Sequence, residues 1–520
     1  MMIRSLFLLL GIFLQVNSWI LHLNPIKTAG RTALSAKHAS FLKMESEGLQ
    51  STTGRNTYAS EIEGKVTSAG AAAQALDVFP YFAALTSSET FKNEYWQKKP
   101  FLHSTPLPNM DQQFTFSDVA VEVEKGFLDA GRGTFVEGRS GWQMASVGKP
   151  RGTSFEEAKM RIKDVEKALA ERSGTVVFNS AGAKIKPLAQ VCYGTSEATR
   201  LPTALNLYLT AAGQATSAPP HTDKQDVFVL QTQGKKGWKV FSPPNPSECL
   251  KADPFARGKG TDVLDIKTLG EPLIDTVLLP GQMLYVPAGF PHTTDTIRGN
   301  EVGGDPSVHL TIGIDTHIWG LTYAHLREFA FKHTKIEDSV QLQHLDQQLY
   351  WDFQGVLPLG FMDEGAYDKH ARWRDTKAFM AQNMVDGVLK LIRRGEPGRW
   401  DKLSDDELAN KLELSHVANR LIDHHSKITG ILNEMYLDTI HELTDVPMGL
   451  SVFRVKPYMD KLENTMEELY GEFTAGPPAS IDNGMSASAG SSEERKGFGG
   501  SKQAKGAATK KKGMGKKKKN

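Results

Sequence analysis

Between Thr175 and about Ile318 the chain is built from short apolar-rich runs broken by Gly and Pro turns: TVVF, ALNLYLT, DVFVLQTQ, GWKVFS, IDTVLLPG, QMLYVPAG and SVHLTIGI. Several of these alternate apolar and polar residues, the period of a strand whose successive side chains point to opposite faces. Short strands at such spacing, without intervening helices, predict a sandwich or barrel rather than a parallel α/β sheet. On either side the texture is helical. Residues 74–105 hold a helix-like stretch ending before Pro100, and Ser154–Arg172 opens with Ser154 and Glu157 at capping-box spacing. From Trp319 to about Phe473 Met and aromatic residues recur at helical spacings, which predicts core or dimer-interface packing rather than a cofactor box. No internal repeat is evident.

Two alternations carry more than fold. In LNLYLT, Asn206, Tyr208 and Thr210 share one face and Leu205, Leu207 and Leu209 the other. That pattern suits a barrel lined with polar groups under a helix-covered outer face, and equally a simple sheet with one wet face. In SVHLTIGI, His309 and Thr311 face away from Val308, Leu310 and Ile312.

The chemistry begins at APPHTDKQDVFVLQTQGKKGWKVF, residues 218–241. Pro219 and Pro220 disfavour a helix before His221, so His221 and Asp223 sit in an extended context where positions i and i+2 project to one side. A second His-x-Asp, His344-Leu-Asp346, lies in a helical run, where those positions do not share a face. Two imidazoles and one carboxylate form the facial set that leaves open positions on Fe(II) for a bidentate cosubstrate and O2. His292, after the Pro-Ala-Gly turn of LPGQMLYVPAGFPH, is the first candidate for the third ligand, and His309 competes with it. A two-residue turn at Gly234-Lys235 would set Lys236 opposite Gln233, on the face of Val227, Val229 and Gln231, and turn Lys235 to solvent. An inward lysine suits the far carboxylate of a dicarboxylate; two exposed hairpin lysines are the plainer alternative.

Composition constrains the rest. At 520 residues, 40% hydrophobic and 23% charged, the chain is long enough for roughly three globular units. Two cysteines, Cys192 and Cys249, exclude a disulfide framework and cannot by themselves complete a zinc site. The net charge of +1 hides a basic end: ten lysines and no acid lie between Lys496 and Asn520, after a Pro/Gly/Ser/Ala-rich linker. Such a tail is a solvated run that contacts nucleic acid or serves as a nuclear or nucleolar address. The other end points elsewhere. Arg4, an apolar stretch from Leu6 to Val16 and small Ser18 predict a cleaved signal peptide, residues 1–18, too short to span a membrane. Residues 19–70 then form a transit-like segment, basic at Lys27, Arg31, Lys37 and Lys43. Together these suggest the secretory route or a complex plastid; a start at Met44 would remove both.

The run LNLYLTAAGQATSAPPHTDKQDVFVLQTQGKKGWKVF, with LPGQMLYVPAGFPHTTDT and SVHLTIGI, resembles the JmjC hydroxylases of the ribosomal oxygenase type. EYWQKKPFL (residues 94–102) is similar to the family's lead-in segment and DFQGVLPLGFMD to its post-barrel segment, so the resemblance covers roughly residues 75–365. It implies a mainly β, cupin-like double-stranded β-helix (jelly roll) at 175–320. A helical N-terminal part at 75–174, a helical, dimerising region at 321–473 and a disordered linker and tail at 474–520 would surround it. It implies an Fe(II)- and 2-oxoglutarate-dependent dioxygenase with His221, Asp223 and His292 on iron and Lys236 on the 2-oxoglutarate carboxylate. Asn206 and Tyr208 would line the cosubstrate site, and His309 would stand behind the ligands or line the pocket rather than bind the metal. The implied substrate is a ribosomal-protein His or Arg, or, for a demethylase of the same class, a histone lysine. A cupin metalloenzyme without 2-oxoglutarate and a non-catalytic ribosome- or chromatin-binding module are the alternatives outside that class. AAGQATSA is about one residue longer than the family's usual segment, and no winged-helix domain is recognisable beyond Ala366.

Overall fold

The computed structural model of the chain describes residues 76–107, 110–111, 113–125, 130–135, 142–147, 161–170, 174–243, 264–298, 304–357, 373–441 and 450–477. The signal and transit-like segments, the Ser154 capping box, residues 358–363 of the post-barrel motif, Cys249 and the lysine tail lie outside the described residues.

The strands are β1 (Phe101–His103), β2 (Ala130–Phe135), β3 (Trp142–Val147), β4 (Thr175–Phe178), β5 (Thr203–Thr210), β6 (Ala218–His221), β7 (Asp226–Gln233), β8 (Lys236–Val240), β9 (Ile274–Leu278), β10 (Met283–Val286), β11 (His292–Asp295) and β12 (Ser307–Ile314). They form two antiparallel sheets, β1-β10-β7-β12-β5-β4-β2-β3 and β6-β11-β8-β9. Val227, Val229, Leu284 and Val286 of the large sheet pack against Trp238, Val240, Ile274 and Leu278 of the small one, so the sheets meet face to face in a jelly-roll-like core.

Helices cover the outside of the large sheet. Those before and within the β region are α1 (Phe79–Thr86), α2 (Phe116–Lys125), α3 (Ile162–Ala170) and α4 (Lys186–Thr199). After it come α5 (Tyr323–Thr334), α6 (Gln347–Gln354), α7 (Trp373–Gly395), α8 (Asp405–Lys411), α9 (Leu414–His441) and α10 (Leu450–Ala475). Leu205, Leu207, Leu209, Phe228, Leu230 and Leu310 turn outward into one cluster with Tyr81 and Phe82 of α1, Val191 of α4, and Ile428, Leu432 and Tyr436 of α9. The apolar side of LNLYLT is thus helix-covered, and the wet-face alternative is excluded. Met384, Phe329, Phe331 and Phe473, expected as core or interface, lie in the chain's own helical core.

Two expectations fail here. The β region is not free of helices: α4 stands between β4 and β5, its buried Leu188, Val191, Cys192, Thr195 and Ala198 recurring at helical spacing, with Pro187 in the first turn where no N–H is needed. The stretch 74–105 is not one helix either. It breaks into α1, a π turn over Phe91–Tyr95 and β1, which pairs with β10.

One polar network ties this lead-in to the barrel. Buried Asp226 accepts hydrogen bonds from Tyr285 Oη (2.7 Å), Gln97 Nε2 (3.0 Å) and the Ala288 amide (3.3 Å), while Gln97 Oε1 accepts from Val356 N (2.6 Å). Burial pushes the Asp226 carboxyl up to about 6.

Three histidines around the helical region shift the other way. Burial lowers His317 to about 3 and His425 to about 4; burial, then neighbouring His425, lowers His424 to about 4. A histidine held neutral in the folded chain but free to charge when unfolded contributes stability above pH ~6.5, lost as pH falls toward its folded value. Asp226 opposes this, because below about pH 6 its protonation favours the fold. Three imidazoles outweigh one carboxyl, so urea denaturation should show stability falling by about 2–3 kcal/mol or more between pH 6.5 and 4.5. Unchanged stability across that window would contradict the burial of these rings. Replacing His424 by Gln should flatten part of the slope.

Candidate metal and ligand site between the two sheets

His221 closes β6 and His292 opens β11, and the two are direct cross-strand partners in the small sheet. That register alone brings the imidazoles together, with ring centroids 4.3 Å apart. Asp223 does not share the strand with His221, as the i, i+2 argument required, because β6 ends at His221. Its position is set instead by a loop contact: the amide of Gly289, in the Pro-Ala-Gly turn at φ +77°, donates to the Asp223 carbonyl (2.9 Å). The carboxylate still reaches both rings, with Asp223 Oδ2 3.9 Å from His221 Nε2 and 3.5 Å from His292 Nε2.

Both rings are oriented from behind. His221 Nδ1 lies 2.7 Å from the Pro219 carbonyl oxygen and His292 Nδ1 3.0 Å from that of Phe290. A carbonyl can only accept, so each Nδ1 carries the proton and each Nε2 presents a lone pair on the side of the carboxylate. The three ligand atoms lie within 4.8 Å of one another, and among the described residues this is the one group of three His, Cys, Asp or Glu able to hold a metal ion. The donor set fits an octahedral metal with open positions better than a structural tetrahedral one, which would be closed by four ligands.

The triad opens on a cavity walled by Tyr208, His309 and Thr311 of the large sheet and Lys236, Trp238 and Thr294 of the small one. Lys236 is 2% exposed, its Nζ donating to Thr210 Oγ1 (3.0 Å) and lying 6.0 Å from the Tyr208 ring centroid, whereas Lys235 is exposed. The split between the lysines is the expected one, but its cause is not a hairpin. β7 belongs to the large sheet and β8 to the small, and Lys236 pairs with Leu278 rather than Gln233. Gly234 carries the chain across at φ +67°, against Pro306 O and Ser307 Cα, where a Cβ would be crowded as well as strained.

Tyr208 lines the cavity and stacks on His309 (4.8 Å, 11°). Asn206 does not line it; its Oδ1 is committed to the amide of Ser180 (2.9 Å), which itself has φ +52°. His309 lies on the large sheet, outside the triad. Trp238 and Thr294 on the wall, and Thr210 as the partner of Lys236, were given no site role by the sequence reading. Thr210 stood on the polar side of LNLYLT, and Trp238 follows Lys236 at strand period, so both were open to the same parity argument. The other His-x-Asp is not helical throughout: His344 ends a 3-10 turn, and Asp346 caps α6 by accepting from Leu349 N (2.9 Å).

A JmjC domain model matches residues 185–320. Ribosomal oxygenase 2 of Rattus norvegicus is 28% identical over 253 residues, 46% of this chain and 48% of that protein. The bifunctional lysine-specific demethylase and histidyl-hydroxylase NO66 of Drosophila erecta is 36% identical over 127 residues, 24% of this chain and 18% of that protein. Thus the chain spans about half the length, or less, of the curated relatives it matches. Among solved structures, the Escherichia coli ribosomal oxygenase YcfD in complex with cobalt and 2-oxoglutarate aligns over 65% of this chain and 70% of its own, at 16% identity and a TM-score of 0.33. Residues 185–320 are a JmjC domain, and around it the chain is similar to the ribosomal oxygenases.

Proposed function

We propose that this protein is an Fe(II)- and 2-oxoglutarate-dependent hydroxylase acting on a ribosomal-protein side chain, His or Arg. The observation that carries the reading is the pairing of His221, Asp223 and His292 with a buried lysine on the wall of the same cavity. The names of the relatives, ribosomal oxygenase and histidyl-hydroxylase, support the substrate class. When bound, the metal and cosubstrate supply oxidative decarboxylation of 2-oxoglutarate to succinate and CO2, coupled to oxygen insertion into a substrate C–H bond.

The chain's own residues do the rest. His221, Asp223 and His292 would hold the metal, with the Pro219 and Phe290 carbonyls fixing the rings so that no rotamer search accompanies loading. Lys236 would pair with the far carboxylate and Thr210 would aim its ammonium. Val227 and Val229 beside it keep that ion pair partly shielded from water. A cupin metalloenzyme that uses no dicarboxylate would have no role for a lysine buried there.

Succinate release from 2-oxoglutarate, with Fe(II) and pools of ribosomal-protein peptides, tests this directly. The wild-type chain should turn over on at least one pool, with a mass increase of one oxygen on the peptide. Formaldehyde release from methylated histone peptides instead would favour the demethylase reading, and no turnover on either would leave a binding module. Lys236→Met should raise the 2-oxoglutarate concentration for half-saturation by about 10- to 100-fold, the equivalent of one charge-assisted contact, with recovery at excess cosubstrate. Unchanged half-saturation would remove Lys236 from the site.

A further inference from the structure

Trp238 stands two residues beyond Lys236 on β8, so strand period places both on the side that faces the large sheet. Its ring does two things there. It stacks on His292 with centroids 5.8 Å apart and planes at 25°, and it meets His309 edge-on at 5.7 Å. The residue is 4% exposed and forms part of the cavity wall. Its indole Nε1, a donor with no acceptor capacity, is buried without a hydrogen-bond partner among the described residues. Burying an unsatisfied donor is costly, and such a group on a cavity wall is satisfied when the cavity is filled. A metal cannot satisfy it, because an N–H has no lone pair to offer. An oxygen acceptor on a bound molecule can.

We infer that Trp238 is a ligand-binding residue, its indole N–H donating to a carboxylate oxygen of the dicarboxylate held between the triad and Lys236, while its ring face steadies the His292 imidazole. This deepens the proposed function and rests on its 2-oxoglutarate reading. The two roles of the side chain are separable. Phe keeps a ring against His292 and removes the N–H; Ala removes both.

The test is anaerobic calorimetry on the full chain, titrating Mn(II) and then 2-oxoglutarate. Trp238→Phe should bind Mn(II) as the wild type does and bind 2-oxoglutarate roughly tenfold more weakly, the loss of one hydrogen bond to a charged acceptor. Trp238→Ala should also weaken Mn(II), by about 10- to 100-fold, as removal of support behind a metal-ligating histidine does. Equal 2-oxoglutarate affinity in Trp238→Phe and wild type overturns the inference while leaving the proposed function standing. Failure of the wild type to bind 2-oxoglutarate at all overturns both. Should Trp238→Phe not fold, the wild-type chain labelled with 15N-tryptophan and loaded with Zn(II) gives the same answer. One of the eight indole N–H resonances should move downfield and gain protection from exchange on adding 2-oxoglutarate, and no such change overturns the assignment.

Discussion

Asp223→Ala should abolish Mn(II) binding and reduce succinate release to background, while Asp346→Ala leaves both as in the wild type. The sequence offers the same His-x-Asp at each place, so the contrast isolates geometry from motif. Asp223 stands 3.5 Å and 3.9 Å from two lone-pair-bearing imidazole nitrogens, and without it two neutral rings remain with no anion to balance a dication. Asp346 instead spends its carboxylate on Leu349 N at the start of α6. Its loss should cost stability only, about 1 kcal/mol in urea denaturation, the usual worth of an N-cap. Asp223→Asn is the sharper variant, since it preserves volume and removes the charge. Metal affinity in Asp223→Ala equal to the wild type's would sink the metal-site reading outright, and loss of turnover in a well-folded Asp346→Ala would show that the wrong pair had been chosen.

What the sequence disclosed was whatever local parity decides. DVFVLQTQ and SVHLTIGI became strands with the bounds their patterns predict, and their inward and outward faces follow from the alternation. His221 and His292, singled out beside a proline pair and a Pro-Ala-Gly turn, are brought together with Asp223 within 4.8 Å. Long-range pairing was not legible. Nothing in GKKGW says that the turn at Gly234 leaves one sheet and enters another, and β6 and β11, at four residues each, are too short to show alternation. The right lysine was therefore chosen for a reason that does not hold, since inward direction is a matter of parity while the partner strand is a matter of topology. Asn206 shows the converse. Its face was predicted correctly, yet its carbonyl oxygen serves the Ser180 amide, a contact 26 positions away in sequence that no periodicity records.

Arg327→Met should lower stability by about 3 kcal/mol or more. Arg327, on α5, is 1% exposed. It makes a bidentate pair with Asp338 (2.7 Å to each oxygen) and two bonds to Glu396 Oε1 (3.0 and 2.8 Å). Its guanidinium also lies 4.4 Å from the Phe331 ring centroid. Glu396 is itself buried, and its other oxygen accepts from Trp400 Nε1 (2.9 Å) and Arg399 Nη1 (2.7 Å). Methionine fills most of the volume but strands Glu396 Oε1, leaving the buried carboxylate with Arg399 and Trp400 on its other oxygen alone, and that partly uncompensated charge, rather than the lost attraction, is the main cost. Lysine should recover little, because a single ammonium cannot reproduce a fork that serves two carboxylates. Adding Glu396→Gln to Arg327→Met should return part of the loss, as the partly uncompensated charge goes with it. A shift under about 1 kcal/mol for Arg327→Met in urea denaturation would place this network among surface ion pairs, and no recovery in the double variant would mean that the guanidinium's contacts, not the stranded carboxylate, set the cost.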